Sequence, residues 1–194
     1  TIGISISALN LSIRFFVASL DPSSAIIISK SLYKEFCQLP KLARWHVNNK
    51  KKYLAIQEDQ YWAMNGEEIW DSVEQMVRQM FSGKSIVDIT MDGFADYHAR
   101  YHAISIDALK TQSDVYYQTG FLVWDIYTRT DFLVKNQDGN YDIVEVKSIT
   151  SPLTSTKTPT LKSDLLNDIS FQYYVVKKAL GNLFSWKIYI YYLK

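Results

Sequence analysis

Apolar runs and short polar breaks between residues 115 and 148 predict three strands. Val115 to Leu122, Ile126 to Lys135 and Tyr141 to Ser148 are rich in β-branched and aromatic residues. Asn136-Gln137-Asp138-Gly139-Asn140, between the last two runs, has the composition of a hairpin turn. An antiparallel meander is the expected result. Strand alternation puts Tyr141, Ile143, Glu145 and Lys147 on one face and Asp142, Val144, Val146 and Ser148 on the other.

Helical periods flank this meander. In residues 65–83, Ile69, Val73, Met76 and Met80 recur at helical spacing, with acids in the first turn and Ser82-Gly83 at the end. Residues 163–181 form a second helix, with Leu166, Ile169, Tyr173, Val176 and Leu180 on its apolar face. Lys177, Lys178 and Gly181 supply its stop signals. Ser29 can cap a helix running to Phe36, and Pro40 can open another. Residues 96–111 read as a turn into a helix, 85–90 as a short strand, and 184–194 as a closing strand. The segment 150–163 reads as a long polar loop. The order helix, three antiparallel strands, helix, strand predicts an α/β domain with a central mixed sheet flanked by helices.

A chain of 194 residues with 47% hydrophobic residues can bury a full core. Residues 1–27 are apolar but interrupted by Asn10 and Arg14, and they read poorly as a signal peptide or membrane span. We therefore set them apart from a domain over 28–194, whose abrupt ends suggest a piece of a longer protein. The single cysteine, Cys37, leaves no internal disulfide and no all-cysteine zinc or iron–sulfur site within one chain. A reducing cytoplasm is the expected location. The net charge of +1 implies no overall pull toward nucleic acid or membrane. Locally, residues 30–52 carry seven Lys/Arg against Glu35 alone, a block that reads as a solvated face or as a binding surface for a polyanion.

Chemistry gathers near the predicted hairpin. Asp131 and Glu145 lie on strands joined by a short turn, so their side chains can converge. Two carboxylates without cysteine make a hard, oxygen-rich site that suits Mg²⁺ or Mn²⁺. Lys147 follows on the same face about 7 Å along the strand, where it could orient or deprotonate a water. The same residues also fit a surface ion pair on an edge strand. His98 and His102 share the i, i+4 spacing of a metal pair but lack a nearby third ligand; surface or capping roles suit them better.

Asp131, a hairpin, and then Glu145-Val146-Lys147 resembles the PD-(D/E)xK nuclease superfamily. "NDISFQYYVV" in the following helix resembles the glutamine-containing helix of its RecB-like branch, and "SKSLYKEFCQLPKLARWHV" resembles that branch's opening segment. The resemblance runs from about residue 28 to 194 and implies a restriction-endonuclease-like core. It implies that Asp131 and Glu145 hold a divalent metal, that Val146 adds its carbonyl, and that Lys147 serves the attacking water. It further implies that Gln172 positions DNA or that water; a solvated polar residue is the other reading of Gln172. The pattern departs at Trp70, where relatives often carry histidine; Glu67 or Glu68 could replace that ligand, and acids placed in a helix's first turn to suit its dipole are the other reading. It departs again at Val176, where the branch has tyrosine.

The implied function is a Mg²⁺- or Mn²⁺-dependent deoxyribonuclease of exonuclease type, acting in DNA repair or defence and leaving a 5′-phosphate. No iron–sulfur cluster and no membrane association are expected. DNA is the expected partner, with other domains or subunits of a larger protein. The alternative is a catalytically inactive nuclease fold kept for DNA binding or scaffolding, which the Trp70 and Val176 departures favour.

Overall fold

The computed structural model describes residues 27–41, 43, 75, 78–90, 97–147, 149, 151–155 and 159–192. Among them lie β1 (Ile28–Ser29), α1 (Lys30–Gln38), β2 (Ile86–Asp88), α2 (Tyr97–Ala108), β3 (Val115–Val123), β4 (Ile126–Lys135), β5 (Tyr141–Lys147), α3 (Ser163–Leu180) and β6 (Phe184–Tyr192). Most of the helix expected over 65–83 lies outside the described residues, as do Glu67, Glu68 and Trp70; Gln75 and Arg78–Met80 are helical.

The strands form one open mixed sheet in the order β2-β3-β4-β5-β6. The meander β3-β4-β5 is antiparallel, and β2 and β6 add parallel strands at its two edges. The turn between β4 and β5 closes through Asn136, whose side-chain oxygen accepts the N–H groups of Asp138 and Asn140. Gly139 takes φ +79°, the left-handed conformation that glycine adopts without a Cβ clash. The expected loop at 150–163 is itself partly paired: Leu153 bridges Leu161, and the Thr154 N–H donates to the Thr160 carbonyl.

Alternation sorts the sheet's two faces. Tyr116, Leu133, Ile143, Phe171 and Val175 form the larger core beneath α3. Val115, Tyr117, Phe132, Val144 and Val146 form the other, with Phe81 packed on them. Full burial of each such side chain contributes about 1.5–3 kcal/mol. The apolar spacing of α3 predicts one stripe, but the structure buries a wider one. Leu165, Asp168, Phe171, Gln172 and Val175 are buried, whereas Leu166 and Tyr173 are only half-buried. The helix is covered on one side by the sheet and on another by α1, so polar positions beside the apolar stripe are also taken from solvent.

Helix α1 is fixed at three points. Ser29 caps it, its hydroxyl accepting the Leu32 N–H at 3.3 Å. The Ile28 N–H just before it donates to the Asp125 carbonyl at 2.6 Å, tying β1 to the turn before β4. Tyr33 stacks on Phe171 of α3, with ring centroids 4.9 Å apart. Lys30, Tyr33 and Lys34 share a helix face by their i, i+3 and i, i+4 spacing, so the stacking turns both lysines toward α3.

Candidate active site

The site forms where two strands part. β4 and β5 pair from Lys135↔Tyr141 to Phe132↔Val144, and the next register step sets Asp131 across from Glu145. β6 holds the far end of β5 through Glu145↔Ile190, Val146↔Tyr191 and Lys147↔Tyr192. β3 occupies the other edge of β4 along its length, so β1 takes the edge that β5 leaves, at Ile126 and Tyr127. Asp131 Oδ2 accepts the Val146 N–H at 2.8 Å, so a carboxylate takes the hydrogen bond that the strand ladder no longer supplies.

Glu145 is fully buried. Its Oε1 contacts Lys30 Nζ at 3.2 Å and also Lys147 Nζ. Its Oε2 accepts Gln172 Nε2 at 2.6 Å. Asp168, also buried, receives Lys30 at 3.2 Å and Lys147 at 2.8 Å, with Lys34 at 3.9 Å. Gln172 also reaches Asp168 Oδ1 at 3.4 Å. Gln172 is therefore buried inside this network, and its reading as a solvated helix residue is corrected. So is that of Glu145–Lys147 as a surface pair on an edge strand, because β5 runs between β4 and β6.

The charges balance unevenly. Burial pushes the Asp131 carboxyl well above its ordinary pKa, and the neighbouring Glu145 pushes it further, against the pull of Lys30. Burial also opposes ionisation of Asp168, but Lys30 and Lys147 outweigh it and hold that carboxyl below its ordinary pKa. Lys147 is disfavoured as a cation by burial and by Lys30, yet Glu145 and Asp168 raise its pKa overall. Lys30 is raised in the same way, burial being outweighed by Glu145 and Asp168. Both lysines are thus held as ammonium ions. That makes Lys147 a hydrogen-bond donor and a positive charge beside Glu145 and Asp168.

A cleft of about 330 Å³ opens on Lys30, Asp131, Glu145 and Lys147 and continues past Arg129 to Tyr97. Across the ladder from Asp131, between the pairs Tyr117↔Phe132 and Thr119↔Thr130, stands Gln118 at φ +57°. A left-handed residue inside a strand costs about 1–3 kcal/mol and is typical of sites where backbone shape matters. Gln118 also lines the cleft.

The structure brings together Asp131, Glu145, Val146, Lys147 and Gln172, and Glu67 falls outside the described residues. Lys30 and Asp168 join them without having been singled out as site residues from the sequence. Asp168 carried one usable signal, its i, i+4 spacing to Gln172; Lys30 carried none beyond its place in a basic block. The sequence predicts a solvated or polyanion-binding face for that block, whereas Lys30 and Lys34 turn inward to carboxylates.

His98 and His102, both on α2, each pack against an aromatic ring. His98 lies against Tyr127 at 4.4 Å and His102 against Phe121 at 6.4 Å, measured between ring centroids.

Among the described residues, no three His, Cys, Asp or Glu side chains gather as a ready ligand set. The donor chemistry nevertheless fits Mg²⁺ or Mn²⁺, which are held by one or two carboxylates and complete their shells with carbonyl and water oxygens. Asp131 and Glu145 provide two such carboxylates beside a cleft. No helix among the described residues is long and apolar enough to cross a membrane. No family model matches the chain, and neither a curated protein nor a solved structure is similar to it.

Proposed function

We propose that this chain is a divalent-metal-dependent deoxyribonuclease that hydrolyses phosphodiester bonds. The observation carrying this reading is the convergence of Asp131 and Glu145 at the fork between β4 and β5, with Lys147 beside them on one cleft. The mixed sheet flanked by helices supports reading the fold as a restriction-endonuclease-like core.

Asp131, Glu145 and the carbonyl of Val146 would hold Mg²⁺ or Mn²⁺. The ion supplies Lewis-acid stabilisation of charge developing on the phosphate. Lys147, held charged by Glu145 and Asp168, donates a hydrogen bond to the attacking water or to a phosphoryl oxygen. Gln172 fixes the carboxylate plane of Glu145 through Oε2. Asp168 anchors both lysines and so sets where their ammonium groups sit. Exonuclease-type action and a 5′-phosphate product belong to the same proposal.

A second reading is a nuclease fold kept for binding or scaffolding. It is favoured by the lysines themselves: Lys30 and Lys147 already pair with Glu145 and Asp168, so the buried charges are largely matched by the chain's own cations. The two readings separate in one experiment. End-labelled single- and double-stranded DNA is incubated with Mg²⁺ or Mn²⁺, using Asp131→Ala and Lys147→Ala as controls, beside calorimetric titration of Mn²⁺. Cleavage that needs metal and is lost in both variants supports the nuclease. Folded protein that neither cleaves nor takes up Mn²⁺ leaves the scaffold.

A further inference from the structure

Arg129 stands apart from the other cations on the cleft. Lys30 and Lys147 are committed to Glu145 and Asp168. Arg129 lies two residues before Asp131 on the same face of β4 and opens on the same cleft. No ion pair joins it to a carboxylate among the described residues. Its Nη1 donates instead to the Tyr97 hydroxyl at 3.5 Å, a long and neutral contact. Tyr97 is held in place by edge-on contacts to Tyr101 and Tyr127, at 5.1 and 6.4 Å. The guanidinium is therefore positioned by an aromatic cluster, and no carboxylate among the described residues pairs with its charge.

Spacing gives that charge a use. Residues two apart on a strand are separated by about 7 Å, the reach from one phosphodiester to the next along a nucleic-acid strand. A cleft of about 330 Å³ suits a nucleotide unit, not the body of a duplex. The left-handed Gln118 contributes to the same wall, opposite Asp131.

We propose that Arg129, supported by Tyr97, is a phosphate subsite that holds the phosphodiester neighbouring the scissile one in a single DNA strand. The proposal rests on the nuclease reading for its scissile bond, but it concerns binding and is tested by binding. Arg129 is a specificity and positioning residue: it selects a chain with at least two phosphates and aligns it against Asp131 and Glu145.

The test uses the full chain and a fluorescein-labelled oligothymidylate, followed by anisotropy in EDTA over a series of salt concentrations. Arg129→Gln is compared with wild type, with Arg129→Lys, and with Lys178→Gln, a charge-matched change at an exposed lysine in the last turn of α3. Arg129→Gln is expected to weaken binding about tenfold and to lower the salt slope by about 1. Arg129→Lys should recover part of the affinity and most of the slope, and Lys178→Gln should bind as wild type does. Where cleavage occurs, KM should rise in Arg129→Gln by more than kcat falls. Equal affinity and slope in wild type and Arg129→Gln overturn the subsite, as does a wild type that does not bind the oligonucleotide. Binding that responds to Arg129 without cleavage by wild type would retain the subsite and remove the nuclease. Melting temperature of each variant confirms that folded protein is being compared.

Discussion

Lys30, from the first turn of α1, and Lys147, from the end of β5, close on the same oxygen of Glu145. One lysine belongs to the motif read from the sequence and the other does not. Their sharing of Oε1 means that any cation entering at Glu145 meets two ammonium groups already there. Lys30 is the more easily displaced, because its contacts to Glu145 and Asp168 are both 3.2 Å while Lys147 reaches Asp168 at 2.8 Å.

Lys30→Met should therefore act in opposite directions on stability and metal uptake. Losing a lysine from two buried carboxylates should destabilise the metal-free protein by about 2–3 kcal/mol in urea. Mn²⁺ affinity by calorimetry should rise about tenfold, because one competing cation is gone. Weaker Mn²⁺ binding in a folded Lys30→Met protein would mean that Lys30 organises the site instead of competing for it.

Asp131 gives a second opposition. Its carboxyl is pushed upward by burial and by Glu145. A raised folded pKa means that stability is lost as pH climbs from the unfolded value, about 3.9, through the folded one. Asp131→Asn keeps an oxygen for the Val146 N–H and removes the like charge. It should make the metal-free protein about 1 kcal/mol more stable at neutral pH while abolishing metal-dependent cleavage. A less stable Asn variant in denaturant melts would show that Asp131 is not repelled by Glu145.

Asp168 has the reverse sign. Burial opposes its charge, but Lys30 and Lys147 hold its pKa down. Its contribution to stability is present above the unfolded value of about 3.9 and is lost as pH falls through the lower folded value. Asp168→Asn should cost about 3 kcal/mol at neutral pH by taking a carboxylate from Lys30, Lys147 and Lys34. It should also flatten the acid limb of the stability curve between pH 5 and the acid transition, measured by thermal melts. An acid limb unchanged from wild type would contradict the ion-pair geometry at Asp168.

Much of this arrangement was legible in the sequence. The meander was readable because apolar runs rich in β-branched and aromatic residues and an Asn-Gln-Asp-Gly-Asn turn fix a register, and that register carries Asp131 to Glu145 one step past Phe132↔Val144. α3 was readable from its period, though not how far its burial would spread, because that depends on α1 packing alongside. Lys30 was not readable. It meets Glu145 across 115 residues of chain through a two-residue strand, Ile28–Ser29, too short to leave a pattern. The left-handed Gln118 was invisible for another reason: the glycine in "VYYQTGFLV" stands at 120, and nothing marks position 118 itself for a left-handed backbone.

Gly120 tests the packing behind the cleft. A Cβ there would lie 2.4 Å from Tyr101 Cδ1 and 2.8 Å from the Tyr127 hydroxyl. The backbone N–H of Gly120 donates to Ser105 Oγ at 2.8 Å, which holds α2 close against β3. Tyr101 is fully buried, so its ring has little room to retreat. Gly120→Ala should cost about 1–3 kcal/mol through overpacking. The displacement should pass from Tyr101 to Tyr97, its ring neighbour, and so to the support of Arg129. We expect a lowered melting temperature together with weaker oligonucleotide binding at temperatures where the variant remains folded. A variant that melts like wild type would show that α2 can move away from β3 without cost, and that Tyr97 is not held by the cluster behind it.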